Sequence, residues 1–189
     1  MKVIETPLTG LLIIEPRVFG DERGFFLETW SQKRYQDAGI NVDFVQDNLS
    51  FSGRGVLRGL HFQNPQAQGK LVHVLQGEVF DVAVDIRQRS PTFGHWHGVV
   101  LSGENKRQFW VPPGFAHGFC VTSETALFTY KCTELYAPEH EKSIRWDDPT
   151  LAIDWPISAP QVSDKDRLAP LLADIDPAKF CFFDSGNER

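Results

Sequence analysis

This chain has few cysteines, no long apolar run and no excess of positive charge. Its three cysteines, Cys120, Cys132 and Cys181, form no CxxC pair and cannot all be bridged. That argues against a disulfide framework and points to reduced thiols in a cytoplasmic protein. Near the N-terminus the longest apolar run is Leu11-Leu12-Ile13-Ile14, too short for the apolar stretch of a signal peptide. No run approaches a membrane span. Lys and Arg number 19 against 25 Asp and Glu, for a formal net charge of -6, which argues against general nucleic-acid binding. An anionic ligand would need a local basic cluster to overcome that field. Internal repeats, low-complexity linkers and domain boundaries are also missing. The expectation is one domain over residues 1–189, with residues 184–189 frayed.

What is present suits an all-β fold. The 189 residues, 41% of them hydrophobic, can bury a proper core. Fifteen Phe and five Trp favour broad aromatic layers. Strand-like runs separated by turns recur at 11–14, 25–30, 43–51, 55–63, 70–76, 78–86, 95–102, 107–111, 117–122 and 125–136. In 78–86, Phe80, Val82, Val84 and Ile86 share one face, and Val79, Asp81, Ala83 and Asp85 the other. Many short strands of this kind indicate a sandwich or barrel. Residues 31–38 read as a short helix capped by Ser31, and 163–173 as a second opened by Ser163.

Chemistry concentrates at Arg58-Gly59-Leu60-His61, at Lys70 and at Pro112-Pro113-Gly114-Phe115-Ala116-His117. Two histidines, a lysine and an arginine on glycine-punctuated strands can form a pocket for an anionic substrate with an acidic C–H bond. Strict alternation puts Arg58 and His61 on opposite faces, so a shared pocket requires a twist or bulge, least costly at Gly59. The Pro112-x-Gly114-x-x-His117 pattern belongs to the second motif of cupin barrels. A cupin metal site also needs an H-x-H pair and a carboxylate. Here the stretch reads His61-Phe62-Gln63, with no carboxylate before Lys70. No catalytic metal is therefore expected. His95-Trp96-His97 has metal-pair spacing, but a pair of surface histidines after a turn is the favoured reading. Ser163-x-x-Asp166 reads first as a helix cap; alternatively Asp166 orients a catalytic histidine. Tyr130 and Tyr136 share a face if their strand is regular. They are either packing residues or a proton donor with a stacking platform.

These motifs resemble the dTDP-4-dehydrorhamnose 3,5-epimerase family over nearly the whole chain. The resemblance is carried by Phe19-Gly20-Asp21-Glu22-Arg23-Gly24-Phe25-Phe26, Phe44-Val45-Gln46-Asp47-Asn48, Val56-Leu57-Arg58-Gly59-Leu60-His61-Phe62-Gln63 and Gln68-Gly69-Lys70. Further matches are Gly77 to Arg87, Ser90 to Gly94, Glu104 to Gln108, Gly114 to Phe119 and Ser163 to Asp166. It implies a metal-free, cofactor-free cupin: a jelly-roll (double-stranded β-helix) barrel with short helices at its periphery and C-terminus. It also implies a homodimer in the pathway to dTDP-L-rhamnose for bacterial surface polysaccharides.

The roles implied are these. His61 resembles the general base and Asp166 its orienting partner. Tyr130 matches the proton donor, and Lys70 the cation near the C4 oxygen, with His117 in the same pocket. Arg23 and Arg58 match diphosphate-binding positions, and Tyr136 the aromatic that stacks on thymine. Glu28, Gln46, Asp47, Asn48, Glu141 and Lys165 align with other substrate contacts. In the family the segment holding Arg23, Phe26 and Glu28 comes from the partner subunit. The implied reaction inverts C3 and C5 of a dTDP-4-keto sugar. The alternatives are an epimerase acting at one carbon, a ketoisomerase, or a non-catalytic sugar-nucleotide-binding cupin.

Overall fold

The computed structural model describes residues 1–181. In chain order the strands are β1 Lys2–Glu5, β2 Leu12–Glu15, β3 Val18–Asp21, β4 Gly24–Leu27, β5 Gln46–Gly53, β6 Leu57–Gln63 and β7 Lys70–Gln76. They continue as β8 Glu78–Asp85, β9 Trp96–Ser102, β10 Gln108–Val111, β11 Phe115–Val121, β12 Thr125–Cys132 and β13 Glu141–Ser143. Helix α1 spans Gln32–Asp37 and α2 spans Asp164–Arg167. One sheet has the order β1-β2-β10-β7-β12-β5, and a second β13-β6-β11-β8-β9; β3 and β4 form a separate hairpin. All the strand pairings are antiparallel. This is a cupin-type barrel of two facing sheets, as expected.

Period-two alternation builds the layers. Between the sheets, Val72, Val74, Phe109 and Phe128 from one side meet Val79, Ala83, Leu101, Phe119 and Val121 from the other. The opposite face of β8, with Val82 and Val84, packs under Leu60, Ile144, Leu151, Leu172 and Phe180. The C-terminal third is thus a cover for the outside of the second sheet. On the outside of the first sheet, α1 and its flanks bury Ile14, Tyr35, Ile40, Leu71 and Trp110. That cover is incomplete, since Leu49, Phe51 and Leu75 remain 64%, 65% and 48% exposed.

Two expected elements near the site end well before the sequence pattern implies. The helix expected over 163–173 ends at Arg167, because Pro170 biases Ala169 away from helical backbone. The strand expected over 125–136 ends at Cys132, so Tyr136 reaches its place from a loop and shares no strand face with Tyr130. His97 also departs from expectation: it is partly buried, and its ring centroid lies 6.5 Å from that of Phe109. All three cysteines are free thiols. Among the described residues no helix is long and apolar enough to cross a membrane. The expected fraying of 184–189 lies outside the described residues.

Candidate active site

A cavity of about 440 Å³ opens between the two sheets. His61 enters it from β6. Its Nε2 lies 2.6 Å from Asp166 Oδ1 on α2, and the Asp166 side chain is only 4% exposed. Asp166 Oδ2 accepts a longer bond, 3.4 Å, from the Gly59 amide. Ser163 Oγ accepts from the Asp166 amide at 3.1 Å. Ser163 thus caps the helix through the Asp166 amide, while the Asp166 carboxylate turns to His61. Burial pushes that carboxyl up, but the bonds from His61 and Gly59 outweigh it, and its pKa lies below the ordinary value. A histidine with one ring nitrogen held by an ionised carboxylate leaves the other, Nδ1, to take a proton.

Arg58 and His61 line the same cavity although they are three residues apart. The reason lies at Gly59, which has a φ of +134° where the β6–β11 register slips between His117 and Phe119. A Cβ on Gly59 would sit 2.6 Å from the Gly118 Cα, so the two strands approach backbone to backbone. Arg58 lies exposed at the edge of the cavity, and its Nε donates to Ser52 Oγ at 3.2 Å.

The facing sheet contributes Lys70 from β7 and Tyr130 from β12. The Lys70 ammonium lies 5.9 Å from the Tyr130 ring centroid. Burial pushes the lysine pKa down and the tyrosine pKa up. His117 lies opposite His61 in the β6–β11 ladder, with Nε2 2.8 Å from Asp81 Oδ1. The cavity thus has a histidine–carboxylate pair on one wall and a phenol with an ammonium on the other.

A polar rim extends from this floor. Tyr136 donates from its hydroxyl to Glu141 at 2.8 Å, and its amide donates to Gln46 Oε1 at 2.9 Å. Gln46 in turn donates to Asn48 Oδ1 at 3.0 Å. Lys165 is paired with Glu141. Burial raises the Glu141 pKa, and the bonds from Lys165 and Tyr136 more than reverse that.

Four of the expected contacts are not gathered here. Asp47 alternates with Gln46 and Asn48, so it points to the outer face and pairs with Lys131 at 3.0 Å. Arg23 and Phe26 belong to the β3–β4 hairpin and stand exposed, Arg23 beside Asp21; Glu28 pairs with Arg34. Three supporting residues escape the sequence reading: Ser52, Asp81 and the clamp made by Gln63. The Gln63 amide donates to the Gln66 and Leu135 carbonyls at 2.6 and 3.0 Å and accepts from the Ala137 amide at 2.9 Å. It holds the loop that carries Tyr136. The one signal that could have found Asp81 was a carboxylate on a strand face otherwise bearing Val79 and Ala83.

A family model described as dTDP-4-dehydrorhamnose 3,5-epimerase matches residues 5–174. This chain belongs to the dTDP-4-dehydrorhamnose 3,5-epimerase family. The family's Pseudomonas aeruginosa member is 58% identical over 178 residues, 93% of this chain and 98% of that protein. The dTDP-6-deoxy-D-glucose-3,5-epimerase of Legionella pneumophila was solved in complex with dTDP-4-keto-L-rhamnose. It superposes with a TM-score of 0.95 at 59% identity, covering 97% of this chain and 99% of that one. ChmJ, a 3'-monoepimerase from Streptomyces bikiniensis solved with dTDP-quinovose, is more distant. Its TM-score is 0.84 at 34% identity, over 89% of this chain and 86% of that one. This chain is an enzyme of the epimerase family.

Proposed function

We propose that this enzyme inverts C3 and C5 of dTDP-4-dehydro-6-deoxy-D-glucose to give dTDP-4-dehydro-L-rhamnose. It acts as a cytoplasmic homodimer of one-domain subunits, without a metal or other cofactor. The C4 ketone acidifies the hydrogens on C3 and C5. His61 removes one of them, and the electron pair moves onto O4 as an enolate. Lys70 stabilises that charge as it develops, in a site where low polarity strengthens the interaction. Tyr130 then returns a proton to carbon from the other side of the ring.

One observation carries this reading: base and acid come from different sheets. His61, tied to Asp166 at 2.6 Å, is on β6, and Tyr130 is on β12, with one cavity between them. A sugar ring held there meets the base on one face and the donor on the other, which inversion requires. Arg58 and, from the partner, Arg23 supply the positive charge that a diphosphate needs in a protein of net charge -6. Tyr136 stacks on thymine; Gln46, Asn48, Glu141 and Lys165 complete the nucleotide side, with Phe26 and Glu28 of the neighbouring chain. The higher identity to the Legionella 3,5-epimerase than to the 3'-monoepimerase favours inversion at two carbons over one. NMR of the 4-keto sugar nucleotide in D2O with enzyme tests this directly. Deuterium should enter at both C3 and C5; entry at one carbon would select a monoepimerase, and none would sink the reading.

The dimer is supported by surfaces that a lone chain leaves bare. Phe19, Phe25 and Phe26 on the hairpin are 50%, 62% and 70% exposed, and Leu49, Phe51 and Leu75 lie open on the outer sheet face. Arg23→Ala and Arg58→Ala should each be inactive alone. Mixed and allowed to exchange subunits, they should regain activity, because some sites then hold both arginines. No recovery despite proven exchange would count against a shared site.

A further inference from the structure

Asp81 projects from β8 into the interior between the sheets with no exposed surface. Val79 and Ala83, its neighbours on that face, are core residues. Its Oδ1 lies 2.8 Å from His117 Nε2, but its Oδ2 is buried with no hydrogen-bond partner. A bare carboxylate oxygen in a protein interior is destabilising unless a nearby charge offsets it. Burial, the stronger influence, holds the Asp81 pKa above the ordinary carboxylate value, while His117 and Lys70 pull it the other way.

Lys70 has the complementary difficulty. Burial pushes its ammonium below the usual pKa, while Cys132 on β12, Glu141 on β13 and Asp81 on β8 pull it back. The Tyr130 ring also faces it. Burial raises the Cys132 pKa, which favours its uncharged thiol. Glu141 is already engaged by Lys165 and Tyr136. Asp81, by contrast, keeps one buried oxygen with no hydrogen-bond partner.

We propose that Asp81 is a positioning residue for the epimerisation. Ionised, it fixes His117 with hydrogen on Nε2 and Nδ1 left for the pocket, and it keeps Lys70 an ammonium where the enolate oxygen forms. The catalytic consequence rests on the function proposed above; the tautomer and the charge do not.

The test uses NMR of the free full-length protein, with labelled lysine and histidine side chains, as wild type and as Asp81→Asn. In the wild type His117 should carry its hydrogen on Nε2, and Lys70 should be an ammonium at pH 7. In Asp81→Asn the Lys70 titration should move down by about one pH unit or more, since a buried neighbouring charge is gone. With substrate, kcat should fall about tenfold or more, within the span seen for lost electrostatic stabilisation. KM should change little, because the nucleotide contacts are intact. The alkaline limb of the kcat profile should move the same way as Lys70. An unmoved Lys70 titration would overturn the proposal, even with lower activity, since a merely structural carboxylate would give that result. So would His117 protonated on Nδ1 in the wild type. If Asp81→Asn does not fold, the wild-type spectra decide: a neutral Lys70 amine at pH 7, or the wrong His117 tautomer, refutes it. These spectra need no substrate, so a wild type that fails to turn over the sugar nucleotide would refute the proposed function and leave the Asp81 result standing.

Discussion

His61→Asn should abolish both epimerisation and solvent deuterium exchange. Asparagine keeps a polar amide at position 61 but is too short to reach where Nε2 sits, so Asp166 keeps the Gly59 amide and loses its histidine partner. What is lost is the atom that takes the proton. General base help is typically worth about 100- to 10,000-fold, and a loss of that order is expected. The measurement is proton NMR of the sugar nucleotide in D2O, following the C3 and C5 signals. Exchange at wild-type rates in this variant would remove His61 from the role of base. A second consequence concerns acid stability. The folded pKa of Asp166 is lowered mainly by His61, so its stabilising contribution is present above the ordinary carboxylate range and is lost as pH falls through the lowered value. A weaker partner at position 61 should move that loss to higher pH.

Tyr130→Phe should separate the two halves of the reaction. The substitution removes a hydroxyl and keeps the ring, which packs 5.9 Å from the Phe128 centroid and the same distance from the Lys70 ammonium. Base and enolate stabiliser remain, so carbon–hydrogen cleavage should continue. The proton can then return only from the side it left. Deuterium should enter with retention of configuration, while inversion falls by about 100-fold or more. Normal epimerisation would refute the donor assignment. Equal loss of exchange and inversion would instead give the Tyr130 hydroxyl a second task, holding the sugar for deprotonation.

Much of this protein is written locally. The alternation in 78–86 marks which β8 residues face the interior and which face the C-terminal cover. The departure from H-x-H at Gln63 is legible in three letters, and the epimerase family is legible in the run of motifs from Phe19 to Asp166. Such features are fixed by neighbours a few residues apart, where side-chain period and turn chemistry act. Other features were decided across the fold. Alternation alone separates Arg58 from His61; the close approach of Gly59 to Gly118, 59 positions on, brings them together. From its own residues Asp166 stayed divided between a helix cap and a partner for a histidine until α2 was seen to lie against β6. Asp47 looked like its neighbours in the motif, yet the pleat turns it outward. Asp81 gave no sign beyond its place on an apolar face, because what defines it is an unsatisfied oxygen beside a histidine and a lysine supplied by other strands. The sequence by itself determined the layers, through short-range periodicity, and the cupin class and the inventory of reactive groups, through motifs a few residues long that resemble a known family. Only the tertiary structure decided which groups share one cavity and what charge each can hold, because pKa values and facing geometry depend on atoms brought together from distant parts of the chain.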